Sequence, residues 1–564
     1  MLRFSLRRST RRSAPLPVVR LVLLLALAGA FATLPSSAAA AGYPEMVVQD
    51  DAALLHRSPE QVGATLDRLV TLGVGRVRLT ANWSVLTRDA DSRLPPGGFD
   101  ATDPAAYEQG RWRELDTAVR LARARGLRVL IDIGFWAPVW ATTDAAGPRA
   151  RSNVDAAAYG RFALAVGKRY SGTFVPPSDS GPPPAPTADD NILAALFGPP
   201  RAPVVAEPPA TKPLPAVDEV ALWNEPNHPA LLMPQWRTPT AAPTSPDVYR
   251  RMVLVAYPQL KKLRPRLRVL IGNTSSTGGP PGTGTGPTPP LRFLRQLACV
   301  DARLRPITTG GCRGFTTLPG DGWAHHPYSS GQSPVRRSIA SRPDDARLAD
   351  LPRLSRLLDT LAGRGRIAPA NRNIHLTEFG YETHDIGTRK GLSEGRQAHW
   401  LTWAEYRATR LPRVVSLAQF LVGDQLPAAT RVSDSTSRPF GEFYTGLYDG
   451  DGHAKLAVRS FTTGLFAQRR GDGRVLLWVR LRGGTGTRTV AVERRRLDGS
   501  WAALRTSPAP GARAAARFTT AARSATSRYA RPVSADEAYR IVVTGRGARV
   551  SGLETLAEPV SPGR

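Results

Sequence analysis

The chain has 564 residues, of which 41% are hydrophobic and 22% charged, so it is too apolar for a disordered protein. Its apolar residues are also too evenly spread for a polytopic membrane protein. The formal net charge is +30, but the basic residues are scattered rather than clustered with aromatic residues. We therefore expect no nucleic-acid partner, whereas association with anionic cell-surface polymers is compatible with this charge.

The N-terminus has the three-part order of a secretory signal peptide. The first 20 residues carry six arginines and no acidic residue, an apolar run (Leu21–Ala32) follows, and small residues occupy Ser36–Ala41. The apolar run is shorter than the ~20 residues that a membrane-spanning helix needs. We predict a signal peptide over residues 1–41 and a secreted or cell-surface protein, with an uncleaved anchor as the alternative.

The two cysteines of the chain, Cys299 and Cys312, lie close together in the sequence. An exported protein folds in an oxidising compartment, where such a pair is expected to form a disulfide. Their spacing differs from the CxxC spacing of a metal or redox site. The sequence therefore predicts a disulfide that closes a short loop.

From residue 45 to about residue 420, β-type runs alternate with helical patterns. Apolar residues at helical spacing follow Ser58, which has the features of an N-cap, and other helical patterns end near Gly126, Arg169, Leu263, Leu361 and Arg407. The predicted strands are Met46–Gln49, Arg76–Thr80, Arg128–Ile133, Val220–Trp223, Val269–Ile271, Trp323–Ala324, Ile374–Leu376 and Val414–Phe420.

Eight strands alternating with helices favour a closed (β/α)₈ TIM barrel, which we place at residues 42–461. Two segments rich in proline or glycine, residues 174–215 and 275–290, are predicted to be long surface loops of this barrel.

The pattern changes to period two after Phe461. Apolar and polar residues alternate over Arg474–Arg482 and Thr487–Arg494, and Tyr539–Val543 is a further strand candidate. Turn signals at short spacing predict a small antiparallel β-sandwich over residues 462–546. Residues 547–564 are predicted to be a disordered tail.

Two glutamates follow strands of the predicted barrel. Glu225 stands in Leu222-Trp-Asn-Glu-Pro-Asn227 after the fourth strand, and Glu378 stands in Thr377-Glu-Phe-Gly380 after the seventh. The carboxyl ends of barrel strands share one rim, so both carboxyl groups should face the same cleft. A pair of carboxyl groups is what cleavage of a glycosidic bond requires. The alternative is a pair of surface glutamates on loops.

These two motifs resemble the (β/α)₈ glycoside hydrolases of clan A, with families 39 and 5 as the nearest likenesses. The resemblance covers about residues 45–460. It implies a retaining mechanism in which Glu225 is the acid/base and Glu378 is the nucleophile. It also implies that Asn224 hydrogen-bonds the sugar 2-hydroxyl. Should Glu378 not be the nucleophile, Glu382 is the next candidate.

The same resemblance implies substrate-binding roles for three further residues. His326 and Tyr328 fit the His-x-Tyr after the sixth strand, whereas His325 is expected to be a packed loop residue. Arg78, on the second strand, matches an arginine near the nucleophile, with a surface salt bridge as its alternative.

Tryptophans after the second and third strands are suited to stacking on sugar rings. Among Trp83, Trp136 and Trp140, we expect Trp136 to take this role. The eighth strand departs from the clan, because Gln419 or Phe420 stands in the region of its usual tryptophan.

The sequence therefore predicts a secreted, monomeric retaining glycosidase that acts on a polysaccharide or oligosaccharide without a cofactor or metal ion. The alternative is an inactive barrel that binds carbohydrate or serves as a cell-wall scaffold.

Overall fold

The computed structural model describes residues 43–147, 149–177, 212–237, 243–279, 286–385, 390–425, 443–469, 474–483, 486–496, 498–503, 518–520, 524–532, 538–545, 548–556 and 558. The predicted signal peptide and parts of both predicted surface loops lie outside these residues. Within these ranges, no helix combines the length and the apolar character needed to cross a bilayer.

Eight parallel strands close into a barrel, as the sequence predicted. They are β1 (Glu45–Gln49), β2 (Arg76–Asn82), β3 (Arg128–Gly134), β4 (Glu219–Leu222), β5 (Arg268–Thr274), β6 (Gly322–His325), β7 (Ile374–Leu376) and β8 (Val414–Phe420). Each strand pairs with the next one in the chain, and β8 pairs with β1. The TIM-barrel fold class is thereby confirmed.

Helices follow the strands along the chain. They are α1 (Asp51–Leu54), α2 (Pro59–Thr71), α3 (Trp83–Leu86), α4 (Gln109–Ala124), α5 (Ala156–Arg169), α6 (Ser245–Leu263), α7 (Pro290–Leu297), α8 (Leu351–Gly363), α9 (Glu394–Ala408) and α10 (Leu456–Thr462). Helix α2 begins with the expected capping box, in which the side chain of Ser58 accepts from the Gln61 amide and the side chain of Gln61 accepts from the Ser58 amide.

The barrel interior is divided into layers by the alternation of side chains along each strand. Val77 and Leu79 of β2 belong to the main apolar core, so Arg76 and Arg78 on the same strand have the opposite orientation. A separate small apolar cluster consists of Leu130, Ala221, Leu270 and Ala324, one from each strand from β3 to β6. Arg78 lies on the same side of its strand as these inward residues and is fully buried.

The predicted disulfide between Cys299 and Cys312 is present. It joins the end of α7 to a short turn before β6, with the two Cα atoms 5.6 Å apart. The bond therefore ties down the connection between β5 and β6.

The C-terminal part consists of two antiparallel sheets, which confirms the predicted sandwich class. One contains β9 (Thr463–Arg469), β10 (Arg474–Arg482) and β14 (Ser524–Pro532). The other contains β11 (Gly486–Arg495), β12 (Trp501–Ala503), β13 (Phe518–Thr520), β15 (Ala538–Gly545), β16 (Ala548–Ser551) and β17 (Thr555–Leu556).

The prediction of a disordered tail from residue 547 is wrong for residues 548–556. Strands β16 and β17 both pair antiparallel with β15. An open sheet edge offers unpaired backbone groups, and this short polar segment supplies partners for them despite its weak apolar pattern.

Aromatic side chains join α9 of the barrel to the first C-terminal sheet. The ring of Phe466 stacks on Trp403 and on Tyr406, with centroids 5.4 and 4.7 Å apart, and Trp478 lies 5.7 Å from Tyr406. Trp478 is fully buried in this contact. It therefore serves as core and presents no face to a glycan.

Replacing Trp478 with Ala should lower the free energy of unfolding by about 3–5 kcal/mol, the range found for large aromatic residues in cores. Trp501 is half-buried in the same part of the chain, so Trp501→Ala is the matched control and should cost much less. Urea unfolding of both variants measures the difference. Equal losses would show that the aromatic contact contributes nothing special.

Candidate active site

The two glutamates singled out by the sequence lie together at the carboxyl end of the barrel. Glu225 follows β4 in a left-handed backbone conformation (φ 39°), and Glu378 follows β7. One carboxylate oxygen of each and a ring nitrogen of His326 all lie within 4.8 Å of one another. The side chains of Glu225 and Glu378 keep 18% and 10% of their surface exposed, so both carboxyl groups are accessible from the cleft.

Arg78 lies at the centre of the site and is not on the surface. Its Nη1 donates to Glu378 Oε1 at 2.7 Å, and its Nη2 donates to Asp132 Oδ2 and to Asn224 Oδ1, both at 2.9 Å. Gln49 of β1 also accepts from Nη1. One guanidinium thus joins side chains from β1, from β3 and from the loops that follow β4 and β7.

Asp132 of β3 was missed in the sequence, although an aspartate inside the apolar run Leu130–Ile133 was a visible signal. Burial raises its pKa from 3.8 to about 7; the charges of Arg78 and His326 oppose this rise, and that of Glu378 adds to it. A carboxyl group without access to water retains its proton more readily, and a neighbouring carboxylate strengthens this effect.

Tyr328 and His326 contact the carboxyl groups directly. The Tyr328 hydroxyl donates to Glu378 Oε2 at 3.2 Å. His326 Nδ1 lies 2.9 Å from Glu225 Oε1 and 3.5 Å from Glu378 Oε2. His325 points elsewhere: its Nε2 lies 2.6 Å from the carbonyl oxygen of Ala346, and burial lowers its pKa to about 4.

The two carboxyl groups have different surroundings. Burial by itself would raise the pKa of Glu225, but its hydrogen bond to His326 and the charge of that ring outweigh burial and lower the pKa. Glu378 instead has the Arg78 guanidinium and the Tyr328 hydroxyl as neighbours. A general acid in an apolar site is expected to have a raised pKa. Because His326 lowers the pKa of Glu225 instead, the protonation of Glu225 depends on that ring.

Asn273 is a second residue that sequence reasoning missed. It lies near the end of β5 with φ 49° and is fully buried. Its Nδ2 donates to Asp132 Oδ1 at 3.0 Å and to the Trp223 carbonyl at 2.7 Å, while its Oδ1 lies 3.1 Å from His326 Nε2. A polar residue closing the run Val269–Ile271 was the available signal.

The expectation that Trp136 stacks on a sugar is not supported by the structure. The Trp136 residue is fully buried, and its Nε1 donates to the Ala230 carbonyl at 2.9 Å. Trp83 is equally buried and stacks on Phe162, whereas Trp140 is half-buried. Trp136 belongs to the loop after β3, and Ala230 and Leu231 of the loop after β4 pack against it, so its ring offers no face to a sugar.

At the end of β8, the structure distinguishes the two residues that the sequence left open. Gln419 is buried and donates to backbone carbonyls of Phe420 and Thr445. Phe420 is half-buried and meets the Tyr328 ring edge to face, with centroids 6.2 Å apart. Phe420 is therefore the residue at the end of β8 that places an aromatic ring beside the cleft.

Glu382 lies apart from this arrangement, since its Oε2 accepts from the Tyr444 amide at 2.6 Å and so fixes a loop.

Among the described residues, two groups of side chains have the spacing to hold a cation: Glu225 with His326 and Glu378, and the exposed loop of Asp449, Asp451 and His453. In the first group, Arg78 already supplies a positive charge next to Glu378.

The sequence matches no protein-family model and no curated protein. Its fold is similar to that of a family 39 glycoside hydrolase from the gut symbiont Bacteroides cellulosilyticus WH2, at 13% identity and a TM-score of 0.46 over 87% of this chain and 81% of that one. It is also similar to a GH5_18 protein from Bifidobacterium longum subsp. longum, at 16% identity and a TM-score of 0.41 over 74% and 78% of the two chains. At such identities the likeness is one of fold.

The buried carboxyl group of Asp132 should make stability depend on pH. Because its pKa is raised from 3.8 to about 7 in the folded protein, its contribution is largest below pH 3.8 and is lost as the pH rises towards 7. The wild type should therefore lose stability relative to Asp132→Asn over this range in urea unfolding. Asp498→Asn, at an exposed turn, should show no such trend; parallel curves for wild type and Asp132→Asn would contradict the assignment.

Proposed function

We propose that this protein is a retaining glycoside hydrolase, with Glu378 as the nucleophile and Glu225 as the acid/base. The observation that carries the proposal is the pair of carboxyl groups at one rim of the barrel, with one oxygen from each within 4.8 Å. Retaining enzymes separate the two carboxyl groups by ~5–5.5 Å, whereas inverting enzymes leave ~6.5–9.5 Å for a water molecule. Oxygens within 4.8 Å of each other leave less room for an intervening water molecule than an inverting pair needs, which favours direct attack by one carboxylate.

The surroundings of each group suit its role. A nucleophile must be ionised, and the guanidinium of Arg78 at 2.7 Å stabilises the charged form of Glu378. An acid/base must exchange a proton, and Glu225 has a titratable partner in His326 at 2.9 Å. Asn224 is held by Arg78 next to Glu225, where an amide can bind a sugar hydroxyl.

The reaction then has two displacements. Glu378 attacks the anomeric carbon, the bond to the leaving oxygen breaks, and that oxygen takes a proton from Glu225. Glu225 next removes a proton from water, whose oxygen attacks the same carbon and releases Glu378. The substrate is an oligosaccharide or polysaccharide, and the arginine-rich N-terminus followed by an apolar run supports action outside the cell.

The two glutamates should respond differently to substitution. Glu378→Gln removes the nucleophile and should abolish turnover, whereas Glu225→Gln removes acid assistance and should cost ~10²–10⁴-fold, most for poor leaving groups. Activated aryl glycosides should partly rescue Glu225→Gln, and azide should help it further by replacing the missing base. Steady-state kinetics on a panel of glycosides measures these effects.

Glu382→Gln is the matched control, because Glu382 lies four residues after Glu378 but binds a loop amide. It should retain turnover. Full activity of Glu378→Gln would instead move the nucleophile elsewhere. A barrel that only binds carbohydrate predicts no turnover by any variant, with the substitutions changing affinity alone.

The stereochemistry of the product gives an independent test. Direct attack by Glu378 followed by attack of water inverts the anomeric centre twice, so the first product should have the configuration of the substrate. Proton NMR of the reaction in its first minutes distinguishes the two anomers before they interconvert. Formation of the opposite anomer would contradict a nucleophilic role for Glu378.

A further inference from the structure

Asn273 is oriented by the backbone carbonyl of Trp223, a group that can only accept hydrogen bonds. The carbonyl oxygen of Trp223 lies 2.7 Å from Nδ2 and carries no hydrogen, so this end of the side chain must be the NH₂ group. Asp132 Oδ1 at 3.0 Å agrees with this orientation. The opposite end is therefore the oxygen, which accepts from Thr377 Oγ1 at 2.8 Å and faces His326 Nε2 at 3.1 Å.

This orientation determines where the hydrogen of His326 lies. An amide oxygen cannot donate, so Nε2 must carry a hydrogen to bond with it. Nδ1, at 2.9 Å from Glu225 Oε1, is then the nitrogen whose protonation can vary. The pair has one transferable proton, which lies either on Glu225 beside a neutral ring or on Nδ1 beside a carboxylate.

Loss of this proton is unfavourable while Nε2 keeps its hydrogen. The lone pair of Nδ1 would then face the carboxylate oxygen of Glu225 at hydrogen-bonding distance with nothing between them. Without Asn273, the ring could move its hydrogen from Nε2 to Nδ1 and donate to the Glu225 carboxylate instead. The pair would then give up its proton at a lower pH.

We propose that Asn273 is a positioning residue that fixes the hydrogen of His326 on Nε2 and thereby keeps on the Glu225–His326 pair the proton given to the leaving group. The proposal rests on the proposed function for its catalytic consequence, but the position of the hydrogen follows from the contacts of Asn273. Other titratable groups act on the pair: Arg78, Asp132, His228, His325, Tyr328 and Glu378. Of these, Asp132 accepts a hydrogen bond from Asn273 Nδ2 and loses it when Asn273 is replaced.

Asn273→Gly is the variant of choice, because glycine adopts the positive φ of this position without strain. With glycosides that have poor leaving groups, the basic limb of kcat/KM against pH should move down by about one pH unit, a tenfold loss in affinity for the proton. With activated aryl glycosides, which need no acid, this limb should not move. An equal loss for both substrate classes at every pH would indicate a merely structural role and overturn the proposal.

Two further variants separate the oxygen of Asn273 from its other contacts. Asn273→Asp keeps an oxygen opposite His326 Nε2, and its negative charge also favours the protonated ring, so the basic limb should return at least to its wild-type position. Thr377→Val removes the other donor to Asn273 Oδ1 and should leave the limb in place. A limb that stays shifted in Asn273→Asp, or that shifts equally in Thr377→Val, would contradict the proposal.

Nitrogen NMR of histidine-labelled protein tests the hydrogen position without any substrate. The chain has 8 histidines, and the signals of His326 are those lost in His326→Gln. At pH values above the basic limb, His326 should show the Nε2–H form in the wild type and the Nδ1–H form in Asn273→Gly. If the wild type hydrolyses no glycoside, the proposed function fails and this spectrum alone decides the hydrogen position; an Nδ1–H form in the wild type overturns the proposal.

Discussion

The site depends on one buried cation, the guanidinium of Arg78. A charge without access to water is costly unless counter-charges and hydrogen bonds surround it. Glu378 supplies the counter-charge, and Asp132 and Asn224 accept hydrogen bonds from the guanidinium. The guanidinium is planar and donates in fixed directions, so it also determines where its partners can lie. Because these partners come from different parts of the barrel, the carboxyl groups come together only when the barrel is closed.

The neighbours of Glu225 and Glu378 give these two chemically identical side chains different properties. Glu378 faces a permanent positive charge, whereas Glu225 faces a histidine that can gain or lose a proton. Asp132 and Asn273 reach neither cleft nor solvent, yet Asp132 accepts a hydrogen bond from the cation and Asn273 contacts the histidine. The division of roles between the glutamates therefore comes from neighbours that lie below the cleft.

The sequence was informative where the signal was local. The apolar runs before Glu225 and Glu378 mark strand ends, so the barrel and its pair of carboxyl groups could be predicted. The contacts of Asp132 and Asn273 form only when β3 and β5 are brought beside the other strands, and no local pattern encodes that. The prediction for Trp136 was wrong because a tryptophan in a loop can have either an exposed or an enclosed ring, and the local sequence does not distinguish the two.

The aromatic face of α9 links the barrel to the C-terminal sheets in a way that affects how the protein can be divided. Without the sheets, Trp403 and Tyr406 would be uncovered together with the carboxylate of Glu405, which binds Arg480 and Arg482. Helix α9 leads directly into β8, the strand that closes the barrel. A barrel produced alone would thus carry an exposed apolar patch next to its closing strand and be prone to self-association. Exchange of the C-terminal part for another module would have to redesign this helix face as well.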